Sequence, residues 1–198
     1  SFNPGAPNGE NGWYKSDVQF TLTAIDNSGA GISRIEYNLG AGWVTYIAPV
    51  NISTEGATNI QYRAVDNTGN TEQTKTADVK IDKTAPAITG AANTQPNANS
   101  WYNADVTVHF TATDDGSGIS TVTPDATVST EGNSQSVSGT ATDLAGNSAS
   151  FTVSGINIDK TAPSITGAPT AAPNAEGWYR NSVTVHFTAS DSLSGLVT

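Results

Sequence analysis

Apolar and polar residues alternate along several short stretches of the chain, which is the pattern of strands with one buried and one solvated face. The stretch "VQFTLTA" at residues 18–24 places Val, Phe, Leu and Ala on one side and Gln and Thr on the other. The stretch "VTVHFTA" at residues 106–112 alternates in the same way. Short strands separated by Gly-containing turns predict an antiparallel β-sandwich, and no stretch shows an apolar stripe with the helical period of about 3.6 residues.

The chain repeats its own signals in a fixed order. A Trp-Tyr pair begins at Trp13, Trp101 and Trp178, and each pair is followed by a strand and then by an Asp. "STEG" occurs twice later in the repeat, and "IDKTAP" occurs at residues 81–86 and again at residues 158–163. Self-similarity of this kind indicates tandem modules, and we interpret "IDKTAP" as the joint between them.

The repeats divide the chain into three predicted parts. Residues 1–84 form a first immunoglobulin-like module, residues 85–161 form a second, and residues 162–198 form the N-terminal strands of a third. The first module carries an extra hairpin at about residues 34–50, with "LGAG" as its turn. The predicted fold class is therefore all-β, with tandem immunoglobulin-like antiparallel sandwiches: two complete modules and the start of a third. We expect the parent protein to continue beyond both ends.

Composition narrows the classes of function. Lys and Arg total 8 against 18 Asp and Glu, and the formal net charge of −10 disfavours nucleic acid and anionic membranes as partners. The chain has no Cys, so disulfides and thiolate metal sites are excluded. No apolar run reaches the roughly 18 residues of a membrane span. An acidic chain rich in Ser, Thr, Asn and Gly suits a protein that lives outside the cytoplasm.

These motifs resemble the bacterial immunoglobulin-like repeats of exported surface proteins and multidomain secreted enzymes. The resemblance rests on "GWY", "STEG", "DLAGN" and "IDKTAP", and it spans essentially the whole chain. It implies a structural spacer, stalk or fibre segment in the extracellular space or on a bacterial cell surface, with neighbouring modules of the parent chain as partners. The family has no common catalytic residues, so we expect no enzymatic activity.

Aspartates in turns and at strand ends are the main candidate chemistry. In a seven-strand sandwich the incoming linker and two strand-connecting loops reach the same pole, so we expect carboxylates of successive modules to converge at each joint. Such a cluster suits a hard cation such as Ca²⁺. Turn aspartates also cap backbone N–H groups without metal. We therefore expect no required cofactor, with Ca²⁺ at the joints as the one candidate. The candidate residues are Asp82, Asp114 and Asp143 at the first joint and Asp159 and Asp191 at the second.

The extra hairpin offers a second candidate site. Trp43 occurs only there, with Tyr46 and Tyr37 close by, and a patch of such rings would bind a glycan or a surface protein. Ordinary cross-strand packing of the hairpin explains the same residues without a ligand. A further alternative is a filament subunit whose third module is completed by strands of another chain.

Overall fold

The computed structural model describes residues 1–27 and 29–197. Within these residues the chain forms sixteen strands and no helix, so no helical segment suited to crossing a membrane is found there. Almost all strand pairs are antiparallel, as the alternating pattern predicted. The predicted all-β fold class is confirmed.

The first copy of the repeat is built from two sheets. Its strands are β1 (Phe2–Asn3), β2 (Trp13–Tyr14), β3 (Val18–Leu22), β4 (Ile32–Asn38), β5 (Val44–Thr45), β6 (Val50–Ile52), β7 (Gly56–Asp66) and β8 (Lys75–Ile81). One sheet has the order β1-β3-β6, and the other has the order β2-β8-β7-β4-β5. The predicted extra hairpin is the β4–β5 pair, in which Tyr37 lies opposite Val44.

Alternate residues of these strands form the core of the first copy. Val18, Phe20 and Leu22 of β3 are buried, in keeping with their predicted inward side. They pack in one cluster with Ile60 of β7 and Val79 of β8, so residues from both sheets meet there. Because burial of each such side chain contributes about 1.5–3 kcal/mol, this cluster is the main stabilising feature of the sandwich.

The Trp-Tyr pair has a structural role that the alternating pattern did not reveal. Trp13 and Tyr14 pair in parallel with Lys80 and Ile81 at the end of the last strand of the same copy. Tyr14 is buried, and its hydroxyl group donates to the carbonyl of Gly5 at 2.8 Å. The pair therefore holds the end of β8 in place, directly before "DKTAP" begins.

The second and third copies contain eight further strands. These are β9 (Ala87–Ala92), β10 (Val106–Thr113), β11 (Ile119–Val122), β12 (Ala126–Val128), β13 (Gly132–Asp143), β14 (Ser148–Ile158), β15 (Ser164–Pro169) and β16 (Val185–Ser190). The sheet orders are β12-β10-β9, β11-β13-β14 and β15-β16. A Cβ atom at Gly139 of β13 would lie 2.7 Å from the ring of Phe110 on β10, which explains glycine in an otherwise regular strand.

The chain divides into two compact units whose limits differ from those of the sequence repeats. Unit 1 consists of residues 1–89, 110–123 and 139–151, and unit 2 consists of residues 90–109, 124–138 and 152–198. The aspartates of the first predicted joint all lie in unit 1, and those of the second all lie in unit 2. The module boundaries after residues 84 and 161 stay predictions.

Candidate functional site: the two joints

Three of the predicted aspartates meet at the first joint. Asp82 follows β8, Asp114 follows β10 and Asp143 ends β13. One carboxylate oxygen from each lies within 4.8 Å of the others. Asp82 and Asp143 are fully buried, and Asp114 is partly buried. The structure thus brings an aspartate of the first copy into the turns of the second.

Backbone N–H groups satisfy these carboxylates. Asp82 accepts from Ser117 at 2.7 Å through Oδ2 and from Thr84 at 3.1 Å through Oδ1. Asp114 accepts through Oδ1 from Gly118 at 2.7 Å and from Gly116 at 3.2 Å. Hydrogen bonds to an ionised acceptor are the stronger kind, so the joint aspartate is firmly attached to the loop of the second copy.

Close approach of the backbone explains a glycine in that loop. A Cβ atom at Gly116 would lie 2.7 Å from the carboxylate of Asp82, closer than real Cβ contacts allow. On its other side, the N–H of Asp82 donates to the carbonyl of Tyr14 at 2.9 Å. Asp82 is therefore held by its own copy through the backbone and by the next copy through the side chain.

Asn147 braces the same linker from the second copy. Its Nδ2 atom donates to the carbonyl of Asp82 at 3.1 Å, to that of Thr84 at 3.3 Å and to Oδ2 of Asp143 at 2.8 Å. Its backbone N–H donates to Oδ1 of Asp143 at 2.8 Å. The Asn147 side chain thus connects the linker to Asp143, the third carboxylate of the joint.

A loop of the first copy covers that turn. The N–H of Glu10 donates to the carbonyl of Ala145 at 2.9 Å, and Nδ2 of Asn11 donates to that of Leu144 at 2.9 Å. Ala145 is fully buried, and a Cβ atom at Gly9 would lie 2.7 Å from its carbonyl oxygen. The contact therefore requires glycine at position 9.

The linker residues after Asp82 are bound to their own copy. Lys83 donates through its backbone N–H to Glu55 at 2.7 Å and through Nζ to Asp17 at 2.9 Å and to the carbonyl of Ser53 at 2.8 Å. The hydroxyl of Thr84 donates to Glu55 at 3.1 Å. The Lys83 side chain, chiefly by its hydrogen bond, lowers the pKa of Asp17. We call this arrangement the Lys-Thr-Glu clamp.

The second joint repeats the Lys-Thr-Glu clamp. The Lys160 N–H donates to Glu131 at 2.5 Å, and its Nζ atom donates to Asp105 at 3.0 Å. The hydroxyl of Thr161 also donates to Glu131, at 3.0 Å. The N–H of Asp159 donates to the carbonyl of Tyr102 at 2.9 Å, as that of the earlier joint aspartate does to its own tyrosine.

The downstream half of the second joint is smaller. Asp159 accepts from the N–H of Ser194 at 3.0 Å, and Asp191 accepts from the N–H of Gly195 at 2.7 Å. Hydrogen bonding by Ser194, through its side chain first and its backbone second, lowers the pKa of Asp159. Two of the five predicted aspartates therefore meet here, and three meet at the first joint.

The repeated "IDKTAP" is explained residue by residue. Its Ile is a core residue, fully buried in both copies, and its Asp reaches the following copy. Its Lys and Thr form the Lys-Thr-Glu clamp with the preceding copy. Its Pro fixes the backbone φ angle directly before the next strand. The motif is thus a connector that binds on both sides.

The donor set of the first joint fits a hard cation in kind, because all three candidate side chains offer carboxylate oxygens. Among the described residues no ion pair involves any of the three. Backbone N–H groups already bond Asp82, Asp114 and Asp143, which is the capping interpretation of the same residues. Calcium binding stays a prediction.

The three aromatic residues of the hairpin candidate do not share one environment. Tyr37 and Tyr46 pack against the core of the first copy, and the ring of Tyr37 meets Phe20 edge-on at 5.9 Å. Trp43 is 36% exposed, and the Arg63 guanidinium lies 3.9 Å from its ring centroid. One indole face is therefore covered by a cation, and glycan binding at these residues stays a prediction.

Sequence reasoning missed the residues that complete each joint. The tyrosine of the Trp-Tyr pair, the glutamate of "STEG" and Asn147 all bond the linker. A signal for the glutamate was present, because "STEG" and "IDKTAP" occur together in both complete copies. The contacts of the other two depend on the path of the chain around the joint.

No family model matches this chain, and no curated protein matches it. The resemblance to bacterial immunoglobulin-like repeats therefore stays a prediction. Solved structures similar to the chain include the fibronectin(III)-like modules of Clostridium thermocellum CbhA, at 16% identity and a TM-score of 0.38 over 80% of this chain and 94% of that one. The D00-D0 domain of Intimin is similar at 15% identity and a TM-score of 0.33, over 96% of this chain and 98% of that one. At these values neither likeness carries an argument about family or function.

Proposed function

We propose that this chain is a non-catalytic spacer segment of a bacterial extracellular or cell-surface protein, in which the joints keep successive modules in a fixed orientation. The single observation that carries the proposal is the placement of Asp82. This residue belongs to the first copy, yet it is fully buried and bonds the N–H of Ser117 in the second copy. A flexible linker between independent modules would leave its polar side chains in water.

The energetics of the joint support stiffness. A typical hydrogen bond contributes about 1 kcal/mol net, and bonds to charged groups contribute more. At the first joint the second copy donates two hydrogen bonds to Asp82, one to its carboxylate and one to its backbone carbonyl. Glu10 and Asn11 of the first copy donate two more to the turn that their loop covers. Bending the joint breaks them together, so large bends are rare at equilibrium.

The proposed spacer function is tested by the distribution of distances across the first joint. Because the chain lacks Cys, labels are introduced at two exposed positions of unit 1 by Thr76→Cys and Ser150→Cys without removing any native thiol. Pulsed electron spin resonance of the doubly labelled chain should give one narrow distance distribution. With Asp82→Ala added, the distribution should broaden because the side-chain anchor is lost.

Asp115→Ala is the matched control, since Asp115 is exposed and lies in the same loop as Asp114 and Ser117. It changes the charge by the same amount without touching the joint carboxylate, so the distribution should stay narrow. A distribution that is broad in the native chain, or equally narrow in all three, contradicts the proposal.

Calcium at the joint is a refinement of this proposal and has its own test. Calorimetric titration of CaCl₂ into the chain should give a binding signal that Asp114→Asn removes, if a cation adds to the stiffness. A titration without heat and without a change in melting temperature removes the cation and leaves the hydrogen-bonded joint intact.

Two alternatives make different predictions. An adhesive or carbohydrate-binding module would retain glycans on an array and lose them with Trp43→Ala. A strand-sharing filament subunit would form polymers that light scattering detects. The spacer function predicts no glycan retention at Trp43 and a monomer in solution.

A further inference from the structure

The first copy has the same kind of pole that receives Asp82 in the second copy. We define the first pole as Asp26, Gly29–Gly31 and the turn Asp66–Asn70. The second pole consists of the loop Asp114–Gly118 and the turn Asp143–Asn147. Our inference rests on the proposed spacer function, because it takes the second pole to be the part of the joint that binds Asp82.

The loops of the two poles have the same framework of bonds. Asp26 accepts from the N–H of Gly31 at 2.5 Å, as Asp114 does from that of Gly118 at 2.7 Å. The carbonyl of Gly31 accepts from the N–H of Asn67 at 3.0 Å. The carbonyl of Gly118 likewise accepts an N–H from the turn of the second pole, at 2.8 Å.

The turns match as well. Asp66 accepts from the backbone N–H and the Nδ2 atom of Asn70, both at 2.8 Å. Asp143 accepts from the same two groups of Asn147, also at 2.8 Å. Hydrogen bonding led by the Asn70 side chain lowers the pKa of Asp66 to about 2, so this carboxylate is ionised at neutral pH.

The poles differ in what fills them. At the second pole, Asn147 bonds the linker carbonyls, and a Cβ atom at Gly116 would meet the Asp82 carboxylate at 2.7 Å. At the first pole, Nδ2 of Asn70 bonds Asp66 and Thr68 within its own turn. A Cβ atom at Gly29 would meet no described atom within 4 Å.

A cavity lies at the first pole. Its volume is about 470 Å³, and its lining includes Asp26, Ile32, Ala64 and Asn70. Ala64 is partly exposed, whereas Ala141, its equivalent in the second copy, is fully buried. The first pole thus presents the backbone and amide groups of a joint together with an uncovered apolar surface.

We propose that the first pole is a receptor for the strand end of another repeat, with the sequence Ile-Asp-Lys-Thr-Ala-Pro-x-Ile, supplied by a module joined ahead of Ser1. Both linkers of this chain fit that sequence, at residues 81–88 and 158–165. Its Asp accepts the N–H of Ala30, the counterpart of Ser117, and its backbone carbonyls accept from Asn70. Its last Ile fills the cavity. The equivalent residue after the first linker, Ile88, is only 9% exposed.

An extended chain tests this proposal. A duplicate of residues 87–165 is joined directly ahead of Ser1, so that its linker enters the first pole with the spacing it has ahead of Thr166. Hydrogen exchange at the amide of Ala30 should slow about ten-fold relative to the native chain, the effect expected of one charge-assisted bond. Replacing the duplicate's joint Asp by Ala should abolish the slowing.

A peptide keeps the test informative if the duplicate does not fold. The synthetic peptide of residues 156–165, added to the native chain at millimolar concentration, should shift the NMR signals of Ala30 and Asn70. The same peptide with Asp159→Ala should leave them unchanged. Unchanged exchange in a folded extended chain, or no peptide-dependent shift if it does not fold, overturns the proposal.

The second pole separates the two levels of inference. Asp82→Ala could accelerate exchange at Ser117 while the added duplicate leaves exchange at Ala30 unchanged. In that case the receptor proposal is wrong and the proposed spacer joint stands. If exchange at Ser117 does not respond to Asp82→Ala, the proposed joint itself fails, and the receptor fails with it.

Discussion

The first and second joints make the same contacts with the preceding copy and different contacts with the following copy. Both have the Lys-Thr-Glu clamp and the bond from the joint aspartate to a tyrosine carbonyl. At the first joint the following copy adds Asp114, Asp143 and the amide of Asn147. At the second joint it adds Asp191 and the N–H of Ser194. The preceding copy therefore shapes the connector, and the following copy determines how deeply it is held.

Burial follows the same division. Pro86 and Ile88 are buried after the first joint, whereas Pro163 is exposed after the second and Ile165 is 69% exposed. The aspartate of the second joint stays hydrogen-bonded to Ser194 although the residues that follow it are exposed.

The largest expected effect is the removal of the joint aspartate. Asp82→Ala removes a fully buried carboxylate and leaves the N–H groups of Ser117 and Thr84 without their acceptor. It should therefore lower the free energy of unfolding by about 2–4 kcal/mol, measured by chemical denaturation. Asp159→Ala should cost less, because its surroundings are more open. Equal losses for the two variants would contradict an effect of these surroundings on the joint aspartate.

A smaller effect is expected from the glycine that faces the carboxylate. Gly116→Ala should destabilise the first joint by about 1–3 kcal/mol, because its Cβ atom would lie 2.7 Å from Asp82. Leu193 occupies the equivalent position at the second joint and is 38% exposed. Leu193→Ala should therefore change stability little. An unchanged melting temperature for Gly116→Ala would contradict the close approach of residue 116 to the Asp82 carboxylate.

The Lys-Thr-Glu clamp should respond equally in both copies. Glu55→Gln and Glu131→Gln each weaken charge-assisted bonds at an exposed site, so each should cost about 0.5–1 kcal/mol. Denaturation of the two variants and of their combination measures this directly. A loss at one joint and none at the other would mean that the clamps are not equivalent.

The smallest effect concerns pH at the second joint. Because the folded pKa of Asp159 is lowered, its contribution to stability is complete above the unfolded pKa of about 3.9 and is lost as pH falls through the folded pKa. Ser194→Ala should raise the pKa of Asp159 toward its ordinary value while keeping the backbone bond. NMR titration of the carboxyl carbon checks this, and an unchanged midpoint would assign the lowering to another group.

Much of the fold followed from local pattern, because alternation in β3 and β10 determines which side of each strand is buried. The grouping of Asp82 with Asp114 and Asp143 was predictable from topology, since loops at one pole of a sandwich must approach the incoming linker. The brace from Asn147 was not, because a side-chain amide selects its acceptors only once the backbone path is known. The same holds for the close approach at Gly116.

The aromatic hairpin illustrates the opposite case. Sequence proximity grouped Trp43 with Tyr37 and Tyr46, but strand pairing decides which face each ring occupies. Tyr37 lies opposite Val44 and packs toward the core, while Trp43 lies over Arg63. Neighbouring positions on a hairpin therefore do not establish a common surface.

Exchange of the Ser117 amide with solvent tests the central claim most directly, since this N–H of the second copy donates to the aspartate of the first. We predict strong protection of this amide in the native chain, the same protection with Asp115→Ala, and a loss of protection of at least about ten-fold with Asp82→Ala. Protection that is unchanged by Asp82→Ala would contradict it.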